Sequence, residues 1–161
     1  MKRIIVSLLA LAAAGPAAAQ SSTGMASTGM AMKTPADAPV ITSDTKLFED
    51  FGGKSGLVAI MDDFMINLLA DARTRPFFEN ADQTRIKAML VDQFCEILNG
   101  GCTYGGRDMV TAHRGMGVTE RDFYALVEAL QKAMSKHNVP FGSQNRLLAA
   151  LAPQHRDIIT K

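Results

Sequence analysis

Apolar side chains recur every three to four positions in four long stretches of this sequence, the spacing that gathers them on one face of a helix. Leu57, Ile60, Met61, Phe64, Met65 and Leu68 mark the first, predicted to start near Lys54 after the Gly52-Gly53 break. Ile86, Met89, Leu90, Phe94 and Ile97 mark a second, which Gly100-Gly101 ends. Phe123, Leu126, Val127, Leu130 and Met134 mark a third, with Thr119 and Asp122 spaced as a capping pair at its start. Leu147, Leu148, Leu151, His155 and Ile158 mark a fourth, interrupted or bent at Pro153. No stretch alternates with period two for long enough to make a strand, so the expected fold is all-α.

Between the second and third helices, residues 100–118 show little periodicity and contain Gly100, Gly101, Gly105, Gly106, Gly115 and Gly117. A weakly regular segment of this length inside a compact domain usually carries function. Within it Met109, Ala112, His113 and Met116 keep helical spacing, enough for two turns with a histidine on the inward face.

The N-terminus follows a different pattern. Lys2 and Arg3 precede an apolar run over residues 4–14, then Gly15-Pro16 and Ala17-Ala18-Ala19. This is the layout of a secretory signal peptide cleaved after Ala19, and the run is well short of the roughly 20 residues a membrane span needs. Residues 20–45, rich in Ser, Thr, Gly, Ala and Pro, are expected to form a flexible linker, and residues 46–161 the folded domain. Met25, Met30 and Met32 in that linker are thioethers suited to a soft ion, but no Cys or His stands near them. The expected location is periplasmic or secreted, with no membrane span after cleavage.

Composition narrows the function classes. The chain has 161 residues, 47% of them hydrophobic, enough for one globular domain. With 17 basic against 16 acidic residues, nothing draws it to nucleic acid. There is no phosphate-binding loop, since no glycine run is followed by Lys-Ser or Lys-Thr, and no nucleophile motif. Of the three histidines, His137 ends the third helix and reads as a surface cap, and His155 near the last helix end reads as structural or half exposed. His113 lies among Met109, Met116 and Val118. Spacing alone leaves it open between a satisfied core histidine and a ligand. Cys95 and Cys102, the only cysteines, flank the Gly100-Gly101 turn; in an exported protein such a pair suggests a disulfide, with free thiols or a redox-active pair as the alternatives.

A family resemblance bears on His113. Leu47-Phe48-Glu49 before Phe51-Gly52-Gly53, Asp62-Asp63-Phe64, Leu69-Ala70-Asp71, Pro76-Phe77-Phe78 and Arg85-Ile86-Lys87 come first. They are followed by Gly100-Gly101, Tyr104-Gly105-Gly106-Arg107-Asp108-Met109, Ala112-His113-Arg114-Gly115-Met116-Gly117-Val118-Thr119, Phe123 and Leu151-Ala152-Pro153. In this order and spacing they resemble the group I truncated haemoglobins. The resemblance implies a two-over-two helical sandwich and a haem whose iron His113 holds on the proximal side. It places Phe78 against the porphyrin face and Ile86, Met109, Val118 and Phe123 in the pocket wall, with Arg85, Lys87 and Tyr104 as candidates to meet the propionates. No Cys-x-x-Cys-His occurs, so the haem is expected to be b-type and non-covalent.

The distal side departs from the family. Phe64-Met65 stands where the family commonly has Phe-Tyr, and Leu90 where it commonly has Gln. Met and Leu donate no hydrogen bond to a bound ligand. Met89 aligns with a position from which some relatives supply a sixth ligand, and its thioether, or that of Met65, would make a His/Met pair; the bland reading is core filler. The leading expectation is an exported, monomeric globin that reversibly binds oxygen or another diatomic gas under an apolar pocket, served by an unknown redox partner. A His/Met electron-transfer or peroxidase-like haem protein and a haem-free helical interaction module are the alternatives. Whether it also turns over nitric oxide or peroxide is left open.

Overall fold

The computed structural model describes residues 38–44 and 46–161. The proposed leader and most of the proposed linker lie outside the described residues. Among those described, regular structure is entirely helical: α1 (Leu47–Asp50), α2 (Gly53–Ala70), α3 (Arg75–Phe78), α4 (Gln83–Ile97), α5 (Met109–His113), α6 (Glu120–Lys136), α7 (Phe141–Leu151) and α8 (His155–Ile158). A single 3-10 turn over Ala152–Gln154 separates the last two, where Pro153 cannot donate the helical hydrogen bond.

Helix α2 is the centre of the packing. Its stripe of Leu57, Ile60, Met61, Phe64, Met65 and Leu68 is buried and wide enough to touch two neighbours, α4 and α6. Burying each of these side chains contributes about 1.5–3 kcal/mol. Val91, Phe94, Ile97 and Leu98 meet it from the α4 side, and Ala129, Leu130, Ala133 and Met134 from α6, with Leu147 and Ala150 of α7 in the same core. Small residues at 125, 129 and 133 let α6 approach closely. Asn67 Nδ2 donates to the Ala129 carbonyl at 3.0 Å, fixing the register of α2 against α6.

The ends of the elements follow their local chemistry. The Asp82 side chain accepts from the Arg85 N–H at the start of α4. Thr119 and Asp122 close a reciprocal capping box on α6. Both α4 and α6 run into an asparagine with φ of 58°, Asn99 and Asn138, the residue type after glycine that best tolerates the left-handed turn ending a helix.

Three features differ from the sequence reading. The domain is anchored ahead of residue 46: Ala38 is fully buried, the Ile41 N–H donates to the Ile97 carbonyl at 2.7 Å, and Asp44 is ion-paired with Arg146. Helix α5 is one turn rather than two, because Arg114 leaves helical geometry with ψ of 125° and Gly115 turns the chain at φ of 75°. The last helical stretch starts at Phe141, well before its first apolar marker, directly after Pro140, whose ψ of 137° keeps it outside the helix while its carbonyl accepts from the Ser143 and Gln144 N–H groups.

Candidate functional site

Helix α5 is short and held by its surroundings. Asp108 caps it by accepting from the Thr111 N–H at 2.8 Å, and those hydrogen bonds keep the Asp108 carboxyl below its ordinary pKa. Its inner face packs on α8. The following loop is tied to the C-terminal segment, since the Val118 N–H donates to Thr160 Oγ1 at 3.0 Å and the Thr160 N–H to the Val118 carbonyl at 2.9 Å. His113 is the last residue of α5 and is half-buried. Its Nδ1 lies 2.9 Å from the Met109 carbonyl, one turn back. With Nδ1 donating there, the ring is fixed and Nε2 remains as its free electron pair.

The loop before α5 is packed from within. Tyr104 is 6% exposed, and burial pushes its phenol above the ordinary pKa; its Oη donates to the Arg107 carbonyl at 2.9 Å. Gly106 is required beside it, because a β-carbon there would stand 2.2 Å from the Tyr104 ring. Cys95 and Cys102 form a disulfide with Cα atoms 5.6 Å apart, tying the end of α4 to this loop.

The sequence candidates divide into two groups. Phe64 and Met65 are buried in the main core, and Phe78, Ile86 and Leu90 pack against that core while staying partly uncovered. Met89 lies elsewhere, against Tyr104 and Met109 with Ile158 of α8. Successive residues on a helix point about 100° apart, so Leu90 and Met89 serve different neighbours. Val118 is buried, and Phe123 is half-buried with its ring edge-on to His155. Of the three propionate candidates, Arg85 is exposed, Lys87 pairs with Asp62 at 2.5 Å, and the Tyr104 hydroxyl is already engaged by Arg107.

His137 is not simply a surface cap. Its Nε2 sits 2.7 Å from Asp63 Oδ2, and Lys136 approaches the other oxygen at 2.6 Å, joining the middle of α2 to the end of α6. Asp63 is the shared partner of both. Two buried polar atoms were not anticipated from the sequence: Gln93 is 3% exposed with Nε2 lacking a partner, and His155 has a solvent-closed Nε2 that also lacks one. An unmet buried polar group of this kind costs about 1–3 kcal/mol. The i, i+3 spacing of His155 and Ile158 was the signal available for His155.

A family model described as bacterial-like globin matches residues 46–159. The chain belongs to the bacterial-like globins. This globin is 29% identical to a group 1 truncated haemoglobin of Mycolicibacterium paratuberculosis over 114 residues, 71% of this chain and 84% of that relative. It is 27% identical to the group 1 truncated haemoglobin of Tetrahymena pyriformis, over 71% of this chain and 95% of the relative. The crystal structure of the Tetrahymena pyriformis truncated haemoglobin in its Fe(III) form matches with a TM-score of 0.68, 27% identity, and coverage of 71% and 98%. A 2/2 haemoglobin from Synechococcus, solved in the cyanomet state with covalently attached haem, matches with a TM-score of 0.65 at 27% identity over 71% and 98%. The globin therefore has the two-over-two helical fold, binds haem, and takes a diatomic ligand.

The residues present fit that cofactor. A haem needs an axial donor and an apolar slot, and the His113 imidazole has one nitrogen fixed by a backbone carbonyl and the other free. Phe78, Ile86, Leu90, Leu126 and Phe123 are large apolar side chains that the protein leaves only partly covered. Because both cysteines are joined to each other, neither is available for a thioether to the porphyrin. Among the described residues no group of three or more His, Cys, Asp or Glu could hold a separate metal ion, and no helix is long and apolar enough to cross a membrane.

Proposed function

We propose that this globin binds its diatomic ligand at haem iron held by His113 Nε2, in a pocket whose distal side is apolar. The observation that carries the reading is the 2.9 Å contact from His113 Nδ1 to the Met109 carbonyl. It fixes ring orientation and raises ligand basicity, the outer-shell arrangement metal-bound imidazoles use. His137 is held by Asp63 at the α2–α6 contact, which leaves it committed elsewhere. When bound, the haem supplies a ferrous or ferric centre with an open position for a gas molecule.

The chain's own residues set how that gas is retained. Phe64, Met65, Ile86 and Leu90 exclude water from the distal side and give no hydrogen bond in return. A ligand that carries partial negative charge is held weakly there, while a nonpolar one such as carbon monoxide is little affected. Oxygen binding with fast release is the activity this favours, and nitric oxide dioxygenation, which needs prolonged oxygen retention, is disfavoured. Met89 packs toward Tyr104 and Met109 on the α5 side, so the His/Met reading has no separate support.

The globin acts outside the cytoplasm. The basic start, the apolar run over residues 4–14 and the small residues up to Ala19 support export, and the Cys95–Cys102 bridge suits an oxidising compartment. N-terminal sequencing of the protein recovered from the periplasmic fraction tests this, with Gln20 the expected first residue.

For the iron site, the test is His113→Gly with and without added imidazole. Loss of the Soret band, restored by imidazole, is the expected result. An unchanged ferrous spectrum in the variant removes His113 from the iron.

A further inference from the structure

Gln93 carries a buried donor with nothing to donate to: the residue is 3% exposed and its Nε2 has no hydrogen-bond partner. It stands on α4 between Met89 and Glu96, at the spacing that puts all three on one helix face. Met89 packs against Tyr104 and Met109, and the Glu96 carboxylate accepts from the Tyr104 N–H at 3.3 Å. Both neighbours on that face therefore reach Tyr104, and Gln93 looks into the same seam, between α4 and the segment that leads into α5. It lies one turn of α4 beyond Met89, about 6 Å along the axis by the helical rise. His113 lies one turn of α5 beyond Met109, away from Tyr104.

We infer that Gln93 Nε2 donates to a propionate carboxylate of the haem, with the Arg107 guanidinium as counter-charge. This rests on the reading that His113 holds the iron. With the iron on the His113 side of Met109, the Tyr104 side is the rim of the macrocycle and not its centre. The rim of haem b carries methyl, vinyl and propionate groups, and of these only the carboxylates accept a hydrogen bond. Of the residues set against the propionates by resemblance, Lys87 is paired with Asp62 and the Tyr104 hydroxyl is spent on the Arg107 carbonyl. An anion in this seam also needs a cation. Burial raises the Tyr104 phenol and the Arg107 charge works against it, which places that charge at the seam. Arg107 is exposed and makes no ion pair among the described residues. The two nearby carboxylates already have donors of their own, Glu96 the Tyr104 N–H and Asp108 the Thr111 N–H. Haem entry thus gives the orphaned amide its acceptor.

The test follows ferric haem passing from the full chain to excess apomyoglobin, read in the Soret band, beside urea unfolding of the haem-free chain. Gln93→Leu should raise the unfolding midpoint of the haem-free chain, because the unmet amide is gone. The same variant should release haem faster by about ten-fold to a hundred-fold, the effect of losing a hydrogen bond to a charged acceptor. Gln93→Glu should release haem b faster still, since its carboxylate opposes the propionate. That excess over Gln93→Leu should vanish with haem dimethyl ester, whose propionates are neutral, and persist with mesohaem, whose vinyls are saturated and propionates intact. Release from Gln93→Leu within about two-fold of the unaltered chain, with a normal Soret band, overturns the inference and leaves His113 on the iron. A Gln93→Glu loss equal for haem b and its ester overturns it too. Should the substituted chains not fold, the unaltered chain decides: it should release the dimethyl ester faster than haem b, and equal rates overturn the inference. Failure of the unaltered chain to take up haem at all removes both readings.

Discussion

Reducing the Cys95–Cys102 bridge should destabilise the domain by an amount that the chain length between the cysteines sets. The two residues are seven apart, so the link closes a short loop. The loop-closure relation gives about 2.4 kcal/mol at 25 °C for that length, acting through the unfolded chain. This is about 50-fold in the folding equilibrium, or a fall in Tm of roughly 10 °C for a domain of this size. Reduction is a cleaner perturbation than substitution, because Cys95 is fully buried and stays in place, so packing changes little. The assay is urea unfolding followed by far-ultraviolet circular dichroism, with and without a phosphine reductant, at fixed protein and haem concentrations so that ligand linkage is constant. The C95A/C102A variant, which has no bridge to lose, should be indifferent to reductant. Unfolding free energies for the unaltered protein that agree to within about 0.5 kcal/mol under the two conditions would refute the reasoning.

Other consequences follow from single contacts. Thr119→Ala removes one half of the α6 capping box and should lower stability by about 1 kcal/mol, with Thr119→Ser recovering most of it in the same unfolding assay. The hydrogen bonds from Lys136 and then His137 hold the Asp63 carboxyl below its ordinary pKa, and Arg73 does the same to Asp71. A carboxylate depressed in the folded state stabilises fully above its unfolded pKa, about 4, and that contribution disappears as pH falls through the folded value. Stability should therefore drop below about pH 4, and Asp63→Asn should flatten part of that acid limb in thermal melts taken across the range. Met65→Tyr supplies the missing distal donor, worth about 1.5–3 kcal/mol, so oxygen release measured by stopped flow should slow from ten-fold to over a hundred-fold. An unchanged release rate would show that the absent donor at 65 does not limit retention.

The sequence by itself determined the helical periodicity, the caps and the breaks. The α2 stripe from Leu57 to Leu68, the Thr119–Asp122 box and the interruption at Pro153 are local: propensity and spacing decide them before any distant residue arrives. The family pattern around His113 was legible for the same reason, being carried by a contiguous run of residues. What the tertiary structure decided is which partner each face meets. Periodicity put Met89 and Leu90 on the same apolar marker set, yet one packs toward α5 and the other on the main core, because adjacent helical residues diverge by about 100° and only the neighbours' positions give that angle meaning. It likewise took His137 across to Asp63, a partner 74 residues away, and brought His155 beside Phe123 with a nitrogen unspent. Such pairings depend on where two separated segments come to rest, and spacing along one segment holds no record of the other.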